Sequence, residues 1–489
     1  MSKKYLNYGV IFIVVILIMF ILVLSTKYIG STDVGDYAGT AKFFAGYYNA
    51  KIRSSHSYFY GFMSSPFVKI TGNLLGMKIM SFIWLVMIML SVYLISKKDK
   101  RTLLLIVTAP IFWYMAPWIN PIQIASLLFL WGYYFIDIYE KSQNKLHAFL
   151  SGVFIGLSWV FWDSVIFFTI ALGFVFFWNK KLSHTLLFTL AVSIGVLPRL
   201  ILDQILFNFL FYSILRNFVG NFVNLFYTGI SGAGGHSAIT IFNIAIILLM
   251  LPLFSFTLLK PKYFKENKKT VIFLLLSLLI IFMNPQTRYT LLITPIILLN
   301  LGKSLSDKQF KWHIILSIFI ILVAITPYVI QINYDTNAEE ITSLLRNIGK
   351  FEISSNIPRE ILEEDLRSIA LDYPNERFAV GDDEDFYATL AIIYWGDQIN
   401  EFISIQDYKL EMSGEEIIFE KEFHPIPNID ERREIWIKGG ISKTTNDKTD
   451  YNSVKYALSD KKEIDLNGFK LVKSYNLLNV FEKQKSGEQ

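Results

Sequence analysis

Residues 8–48, YGVIFIVVILIMFILVLSTKYIGSTDVGDYAGTAKFFAGYY, decide the class of fold. Their first half is a nearly unbroken apolar run that reaches residue 26. A helix needs about 20 such residues to cross a bilayer. The polar segment that follows the run contains Asp33 and Asp36. The stretch therefore predicts a membrane-spanning helix with two carboxylates at the point where the chain leaves the lipid.

An N-terminal apolar run can also be a signal peptide. Here the run is longer than a usual signal-peptide core, and no small-residue cleavage site follows it. We therefore expect a retained first span.

The composition extends this reading to most of the chain. Of the 489 residues, 53% are hydrophobic and 16% are aromatic, as expected for a polytopic membrane protein. The long apolar runs lie in residues 1–333, whereas residues 334–489 are charged and numerous enough for a core of their own. We predict an α-helical transmembrane module over 1–333 and a soluble, mixed α/β domain over 334–489. In that domain, helices are predicted at 338–349 and 359–373, and strands at 377–382, 434–440 and 469–483.

Two features of the composition exclude classes of function. Cysteine is absent, which excludes disulfides, zinc–thiolate sites, iron–sulfur clusters and cysteine nucleophiles. The net charge of +5 arises mainly from lysines in short loops between apolar runs, so we expect no nucleic-acid partner.

About eleven spans are predicted from the apolar runs. They lie at 8–26, 74–95, 102–117, 122–138, 146–162, 164–178, 185–205, 238–259, 271–284, 289–302 and 313–331. With this count the lysine-rich loops, such as 97–101 and 260–269, all fall on the side of the N-terminus. The positive-inside rule then predicts a multi-pass protein of the plasma membrane, with a cytoplasmic N-terminus and an extracytoplasmic C-terminal domain.

Two of the predicted outer loops are long, at 27–73 and 206–237. Polar residues recur every three to five positions between Gln204 and Thr228, which predicts an amphipathic helix at the membrane interface. Residues 37–48 of the first loop predict another interfacial helix.

Ionisable residues near hydrocarbon are costly, so their positions carry information about function. In the predicted topology they gather at the outer ends of spans and in the outer loops, and they come from segments far apart in sequence. They are Asp33, Asp36, His56, Asp163, Arg199, Asp203, His236 and Arg288. This one-sided distribution predicts polar chemistry at the outer membrane face.

Several of these residues also have a structural interpretation. Arg199 and Asp203 are four apart and would form an intrahelical ion pair. Arg288 would extend to the lipid headgroups. Asp163 would cap the helix after it, and Asp36 the helix in the first loop.

The histidines and an acidic run have such alternatives too. His56 and His236 would be hydrogen-bonding and loop residues without a catalytic role. The acidic run GDDED, residues 381–385, would be a turn or a helix start rather than a metal site.

Three motifs, in order, resemble those of GT-C glycosyltransferases, in the branch of protein O-mannosyltransferases and aminoarabinose transferases. The first loop, 32–76, has an aspartate, a tyrosine four positions later and an A…G helix at Asp33, Tyr37, Ala41 and Gly46. It continues into SHSYFYGFMSSPFVKI (55–70), which is similar to the His/Pro-rich segment of that branch. Residues 198–216 are similar to its R…D…S region, and 288–299 to its RYLLPxLP span. The resemblance covers about residues 8–330.

The resemblance implies a membrane glycosyltransferase that uses a polyprenyl-phosphate sugar donor, of the dolichyl-phosphate-mannose type. It would transfer the sugar, with inversion, to a hydroxyl of a protein, lipid or glycan acceptor. Asp33 would be the general base and Asp36 its alternative or partner, with a divalent cation near the pair as a possible cofactor. The donor phosphate would bind Arg288, with Arg199, Arg53 and His56 as further candidates. Tyr37, Asp163 and Asp203 would position the substrate, next to membrane lipids.

The sequence departs from the family pattern in two places. The usual Asp-Glu pair is Asp33-Val34 here, with Asp36 as the second acid, which leaves open which aspartate is the base. The WWDYG motif of oligosaccharyltransferases is absent, which argues against N-linked transfer of a whole oligosaccharide.

The alternative functions are a flippase or polymerase of lipid-linked polysaccharide, or another polytopic transporter. A transporter is expected to have charges near the midplane, on broken helices in matching halves. The sequence has no evident internal repeat, and its charges lie at one edge. This pattern favours the transferase.

Overall fold

The computed structural model describes most of the membrane module and parts of the C-terminal domain. The described residues are 3–26, 30, 34–45, 58–71, 75–207, 210–214, 241–329, 365, 368–369, 371–373, 376–380, 401–404, 406–407, 410–413, 416–419, 447–448, 455–459, 461–463 and 468–484. Asp33, Arg53, His56, His236 and residues 381–385 lie outside them, as does the side chain of Asp36.

The membrane module is helical throughout its described part. Up to the second long loop its helices are α1 (Lys3–Ser25), α2 (Val34–Ala45), α3 (Tyr58–Thr71), α4 (Leu75–Ile95), α5 (Lys100–Val107), α6 (Pro110–Met115), α7 (Ile122–Ser142), α8 (Lys145–Phe161), α9 (Val165–Phe177) and α10 (Leu182–Phe207). After that loop they are α11 (Ile241–Met250), α12 (Pro261–Glu266), α13 (Lys268–Met283), α14 (Thr290–Ser304) and α15 (Asp307–Val329), with 3-10 turns at Ser255–Leu259 and Thr287–Tyr289.

Several helices have the length and hydropathy of membrane spans. In the described chain, four are long and apolar enough to cross a bilayer, namely Leu75–Ile95, Ile122–Ser142, Leu182–Leu206 and Asp307–Thr326. Shorter apolar helices lie at Gly9–Ser25, Lys145–Phe161 and Val165–Phe177. The molecule is thus a multi-pass helical membrane protein with a small C-terminal sheet, as the sequence predicted.

A helix occurs in each of the eleven predicted spans, but two of the spans are not single helices. The span predicted at 102–117 is divided into α5 and α6, because Pro110 cannot continue a helix and instead starts a new one. The span predicted at 238–259 has regular helix only to Met250. Pro252 follows, and Phe254 has a positive φ of 60° before the 3-10 turn.

Helices α8 and α10 approach each other closely through glycines. A Cβ atom on Gly156 would lie 2.2 Å from the carbonyl oxygen of Val192 and 2.8 Å from the Cα of Gly195. Small residues allow such backbone contact between helices in a membrane, where dispersion and packing drive association. This contact fixes the ends of α8 and α10 relative to each other, which matters for the site below.

One end of the helix bundle is held by ion pairs and contains many lysines. The Glu140 carboxylate lies between Lys180, at 3.1 Å, and Lys269, at 2.9 Å. Arg101 pairs with Asp307 at 2.7 Å, which joins α5 to the start of α15. We call this the lysine end; it contains the loops that the sequence predicted to be cytoplasmic.

The C-terminal domain contains a mixed five-stranded sheet. The strands are β1 (Arg377–Val380), β2 (Glu401–Ser404), β3 (Gln406–Asp407), β4 (Leu410–Ser413), β5 (Glu416–Phe419), β6 (Asp447–Lys448), β7 (Tyr456–Ser459), β8 (Phe469–Ser474) and β9 (Asn479–Lys483). The sheet order is β2-β1-β7-β9-β8, with β1 parallel to β2 and β7, and β9 antiparallel to β7 and β8. The strand predicted at 377–382 is confirmed over 377–380, as β1. The stretch predicted as one strand at 469–483 is instead a hairpin, and the strand predicted at 434–440 lies outside the described residues.

Candidate active site

The end of the bundle opposite the lysine end is built by polar and aromatic contacts between distant helices. Lys78, near the start of α4, is buried and donates a hydrogen bond to the carbonyl oxygen of Thr26, just after α1. Trp118 donates to the hydroxyl of Tyr328, 2.8 Å away on α15. We call this the site end, because the residues described next lie there.

A buried arginine joins two helices at the site end. Arg199 on α10 is 1% exposed, and its Nη1 donates to the Asp163 carboxylate and, at 3.3 Å, to the carbonyl oxygen of Trp159. Asp163 follows α8, and its side chain is 15% exposed. The α8–α10 glycine contact brings these residues together although they are 36 positions apart.

A second acid holds the same arginine through a serine. Arg199 Nε donates to the hydroxyl oxygen of Ser213, 2.8 Å away. That hydroxyl donates to Oδ2 of Asp203 at 2.6 Å, and the Ser213 backbone N–H donates to the same oxygen at 2.9 Å. Three residues predicted from the sequence as site candidates, Asp163, Arg199 and Asp203, thus form one network through Ser213.

The structural alternatives for these residues are wrong. Arg199 forms its ion pair with Asp163 rather than with Asp203, its neighbour on the helix. Asp163 does not cap α9 through its side chain, because Ser164 is the cap residue and makes no side-chain bond there. Asp36 is the third residue of α2 rather than its cap.

The turn that contains Arg288 contacts the residue next to Asp163 through an aromatic pair. It belongs to the 3-10 turn before α14 and is buried, and its Nε donates to Oε1 of Gln286 at 2.8 Å. The next residue, Tyr289, meets the ring of Trp162 edge-on with centroids 4.7 Å apart, and Trp162 directly precedes Asp163. The interpretation of Arg288 as a side chain extended to the headgroups is wrong, because it is only 9% exposed.

Helices α2 and α3, which belong to the first long loop, pack at the site end. The ring of Tyr37 meets that of Tyr60 edge-on at 5.3 Å, and both side chains are buried. Phe59 on α3 in turn meets Phe161 at the end of α8, with centroids 5.5 Å apart. Helix α2 carries Asp36 one residue before Tyr37, so its backbone is anchored to the element that ends next to Asp163.

Comparisons with known proteins test this architecture independently. No protein-family model matches the chain, and no curated protein does. Among solved structures, ArnT from Cupriavidus metallidurans bound to undecaprenyl phosphate has a TM-score of 0.60 at 11% identity over 99% of both chains. ArnT in the apo state gives 0.62 at 11% identity over 98% of both chains. This chain has the fold of ArnT. The oligosaccharyltransferase of Archaeoglobus fulgidus gives 0.47 at 14% identity over 94% of this chain and 70% of that one.

The likeness to ArnT extends over the whole chain, including the C-terminal domain. It confirms the polytopic helical fold that the sequence motifs indicated, as found in ArnT. An identity of 11% says nothing about individual residues, so the roles assigned to them remain predictions.

Two residues of the site end were not among those predicted. Lys78 lies inside the span predicted at 74–95, and a lone lysine among apolar residues is a signal that could have identified it. Ser213 is the serine of the R…D…S pattern in residues 198–216, and this pattern was the signal for it, although no role was assigned to it.

The possible cation site is not tested by the described residues. Among them no group of three or more histidine, cysteine or acidic side chains is placed to hold a metal ion. Asp33 and the side chain of Asp36, the predicted ligands, lie outside that part of the chain.

Proposed function

We propose that this protein is a membrane glycosyltransferase that moves a sugar from a polyprenyl-phosphate donor to an acceptor hydroxyl. The observation that carries the proposal is the full-length likeness to ArnT, one of whose structures is bound to undecaprenyl phosphate. The gathering of Asp163, Arg199, Asp203 and the Arg288 turn at one end of the bundle supports it, because such a donor carries its charge at the membrane surface.

The chemistry requires one base and a set of cationic donors. The acceptor oxygen attacks the anomeric carbon and forms the new glycosidic bond as the bond from that carbon to the phosphate oxygen breaks. The acceptor proton passes to a carboxylate within hydrogen-bond reach. The leaving polyprenyl phosphate is a stable anion that needs no proton, and positive groups stabilise its growing charge. A single displacement inverts the anomeric configuration.

We assign the base to Asp33, with Asp36 as its partner or its replacement. Both lie in the first long loop at the start of α2. The packing of Tyr37 on Tyr60, and of Phe59 on Phe161, anchors this helix towards the Asp163 end of α8. A divalent cation beside the two aspartates is part of the proposal, and no step depends on it.

We assign the donor phosphate to Arg288 and Arg199, with Arg53 and His56 as further candidates from the first loop. Arg199 supports this assignment because, within the described chain, its Nη2 has no hydrogen-bond partner while its Nε and Nη1 are engaged. A buried guanidinium N–H without a partner is costly, and a phosphate oxygen would satisfy it.

Substrate positioning is assigned to Tyr37, Asp163 and Asp203. The acceptor is a hydroxyl of a protein, a lipid or a glycan, and the lipid tail of the donor lies between helices. In the proposed topology the lysine end is cytoplasmic and the site end is extracytoplasmic, so the donor is used at the outer face of the plasma membrane.

The test is transfer by the purified protein in lipid nanodiscs. Polyprenyl-phosphate sugars of several types, each labelled in the sugar, are offered with membrane extract as the acceptor source. We expect release of free polyprenyl phosphate and a labelled product of inverted anomeric configuration. Intact donor throughout, together with movement of a lipid-linked oligosaccharide across proteoliposomes, would instead identify a flippase.

A further inference from the structure

Ser213 occupies a central position in the network at the site end. Its hydroxyl oxygen accepts from Arg199 Nε, and its hydroxyl hydrogen goes to Asp203 Oδ2, at 2.8 and 2.6 Å. Its backbone N–H donates to that same carboxylate oxygen at 2.9 Å. One residue therefore links a buried cation to a buried anion that form no direct ion pair.

The network holds the Arg199 guanidinium in one orientation. Nε points to Ser213, and Nη1 points to Asp163 and to the Trp159 carbonyl. A guanidinium is planar, so fixing Nε and Nη1 also fixes the direction of Nη2. Arg199, Asp203 and Ser213 are each 1% exposed, so little water competes for these bonds.

Asp163 is the most accessible residue of the network. Its side chain is 15% exposed, in contrast to the three buried residues behind it. Asp163 thus lies where a substrate can reach it, whereas Asp203 and Ser213 can act on a substrate only through Arg199.

We propose that Ser213 and Asp203 are positioning residues, which orient Arg199 so that it holds the Asp163 carboxylate in place for the substrate. The proposal rests on the proposed transferase function and revises the role of Asp203 from substrate contact to indirect support. Ser213 lies within residues 210–214, near the start of the second long loop, so its hydrogen bonds also link that part of the loop to the ends of α8 and α10.

The experiment compares Ser213→Ala with Ser213→Thr, which keeps the hydroxyl. Removing the hydroxyl leaves Arg199 Nε without its acceptor, so we expect kcat for sugar transfer to fall about tenfold. KM should stay within about twofold, because the misplacement acts on the transition state more than on binding. Ser213→Thr should recover most of the rate. Ser193→Ala is the matched control on α10, since Ser193 is exposed and bonds only the Thr189 carbonyl of its own helix.

A second comparison separates positioning from general structural support. In an Asp163→Asn background, or Asp163→Glu if the asparagine variant has no measurable rate, Ser213→Ala should cause little further loss. Rates are normalised to folded protein measured by size exclusion in detergent.

The outcomes distinguish the two proposals. A wild-type rate in Ser213→Ala, losses that multiply with those of the Asp163 variant, or no recovery in Ser213→Thr would overturn the positioning role and leave the transferase standing. A wild-type protein that transfers no sugar from any donor would overturn both.

Discussion

At the scale of the residue, we expect the shape of the Arg199 guanidinium to matter more for sugar transfer than its charge. Its guanidinium contacts Ser213, Asp163 and the Trp159 carbonyl at the same time. A lysine would keep the charge and present one compact ammonium group to these separate acceptors. Breaking a buried pair is costly, because it leaves charges without partners in a low dielectric.

Arg199→Lys should therefore lower sugar transfer at least tenfold although the net charge is unchanged. The loss arises because the ammonium cannot bond both Ser213 and Asp163. Transfer rates in nanodiscs, compared with those of a surface variant such as Lys308→Arg, measure it. Equal rates in Arg199→Lys and wild type would show that only the charge is needed.

In the C-terminal domain, Asp365 is a buried acceptor for a whole turn. It is 1% exposed and accepts from the backbone N–H groups of Leu477, at 2.6 Å, and Leu478, at 3.0 Å, and from the side chain of Asn476 at 2.9 Å. The turn joins β8 to β9, so Asp365 links the helical residues around 368–372 to the hairpin.

Asp365→Asn should loosen that hairpin. An amide NH₂ in place of one acceptor oxygen faces N–H donors, and each unsatisfied group costs about 1–3 kcal/mol. Limited proteolysis should cut near residues 475–478 faster in the variant, with Glu463→Gln, at an exposed position of the same domain, as control. Identical cleavage rates would mean that the turn does not depend on Asp365.

The sequence could predict residue chemistry at the site only in part. Asp163, Arg199, Asp203 and Arg288 were found because charge next to hydrocarbon is costly and therefore informative. Ser213 could not be found in this way, because it carries no charge, and its only signal was the R…D…S pattern of residues 198–216. The ion-pair partner of Arg199 could not be predicted either, because helix spacing suggests Asp203 and only the packing of α8 on α10 brings Asp163 to it.

At the scale of the element, the helix positions follow from apolar runs and their interruptions. The prediction failed where proline or local geometry broke a run, at Pro110 and at Pro252. It also treated 469–483 as one strand, although the chain turns at 475–478 to form a hairpin. Apolar content locates a span, and the breaks within it depend on backbone chemistry that a hydropathy average does not register.

The α8–α10 contact gives a test at this scale. Gly156→Ala places a Cβ atom 2.2 Å from the Val192 carbonyl oxygen, so the helices must separate. We expect destabilisation of about 1–3 kcal/mol and a displaced Asp163–Arg199 pair. Thermal unfolding in detergent and transfer rates measure the two effects.

Gly173→Ala is the matched control, because its Cβ would approach nothing closer than 3.9 Å. It should be neutral or slightly stabilising, as alanine favours a helix over glycine by about 1 kcal/mol. Equal stability of the two variants would show that the close approach of α8 and α10 is not required.

At the scale of the whole molecule, the two ends of the bundle differ in chemistry. The lysine end contains exposed lysines with the Glu140 and Asp307 ion pairs, and the site end contains buried charge and aromatic contacts. The sequence predicted this polarity from loop composition. It could not predict which residues of the site end touch, because those contacts join separate segments of the chain, 36 positions apart for Asp163 and Arg199 and 210 for Trp118 and Tyr328.

The proposed orientation is testable because the natural chain has no cysteine. Single cysteines at Lys265, at the lysine end, and at Lys461, in the C-terminal domain, are exposed positions for labelling. In intact cells a membrane-impermeant maleimide should label Lys461→Cys, and should label Lys265→Cys only after the membrane is opened. Labelling of both from the same side would contradict the orientation.

The proposed mechanism requires an aspartate of the first long loop to take the acceptor proton during sugar transfer. The most direct measurement is transfer by Asp33→Asn and Asp36→Asn in nanodiscs, at equal amounts of folded protein, with the labelled donor that wild type uses. We expect a loss of at least a hundredfold in kcat for one variant, Asp33→Asn by our assignment, because general base catalysis contributes about 10²–10⁴-fold to the rate. Wild-type rates in both variants would show that neither aspartate is the base.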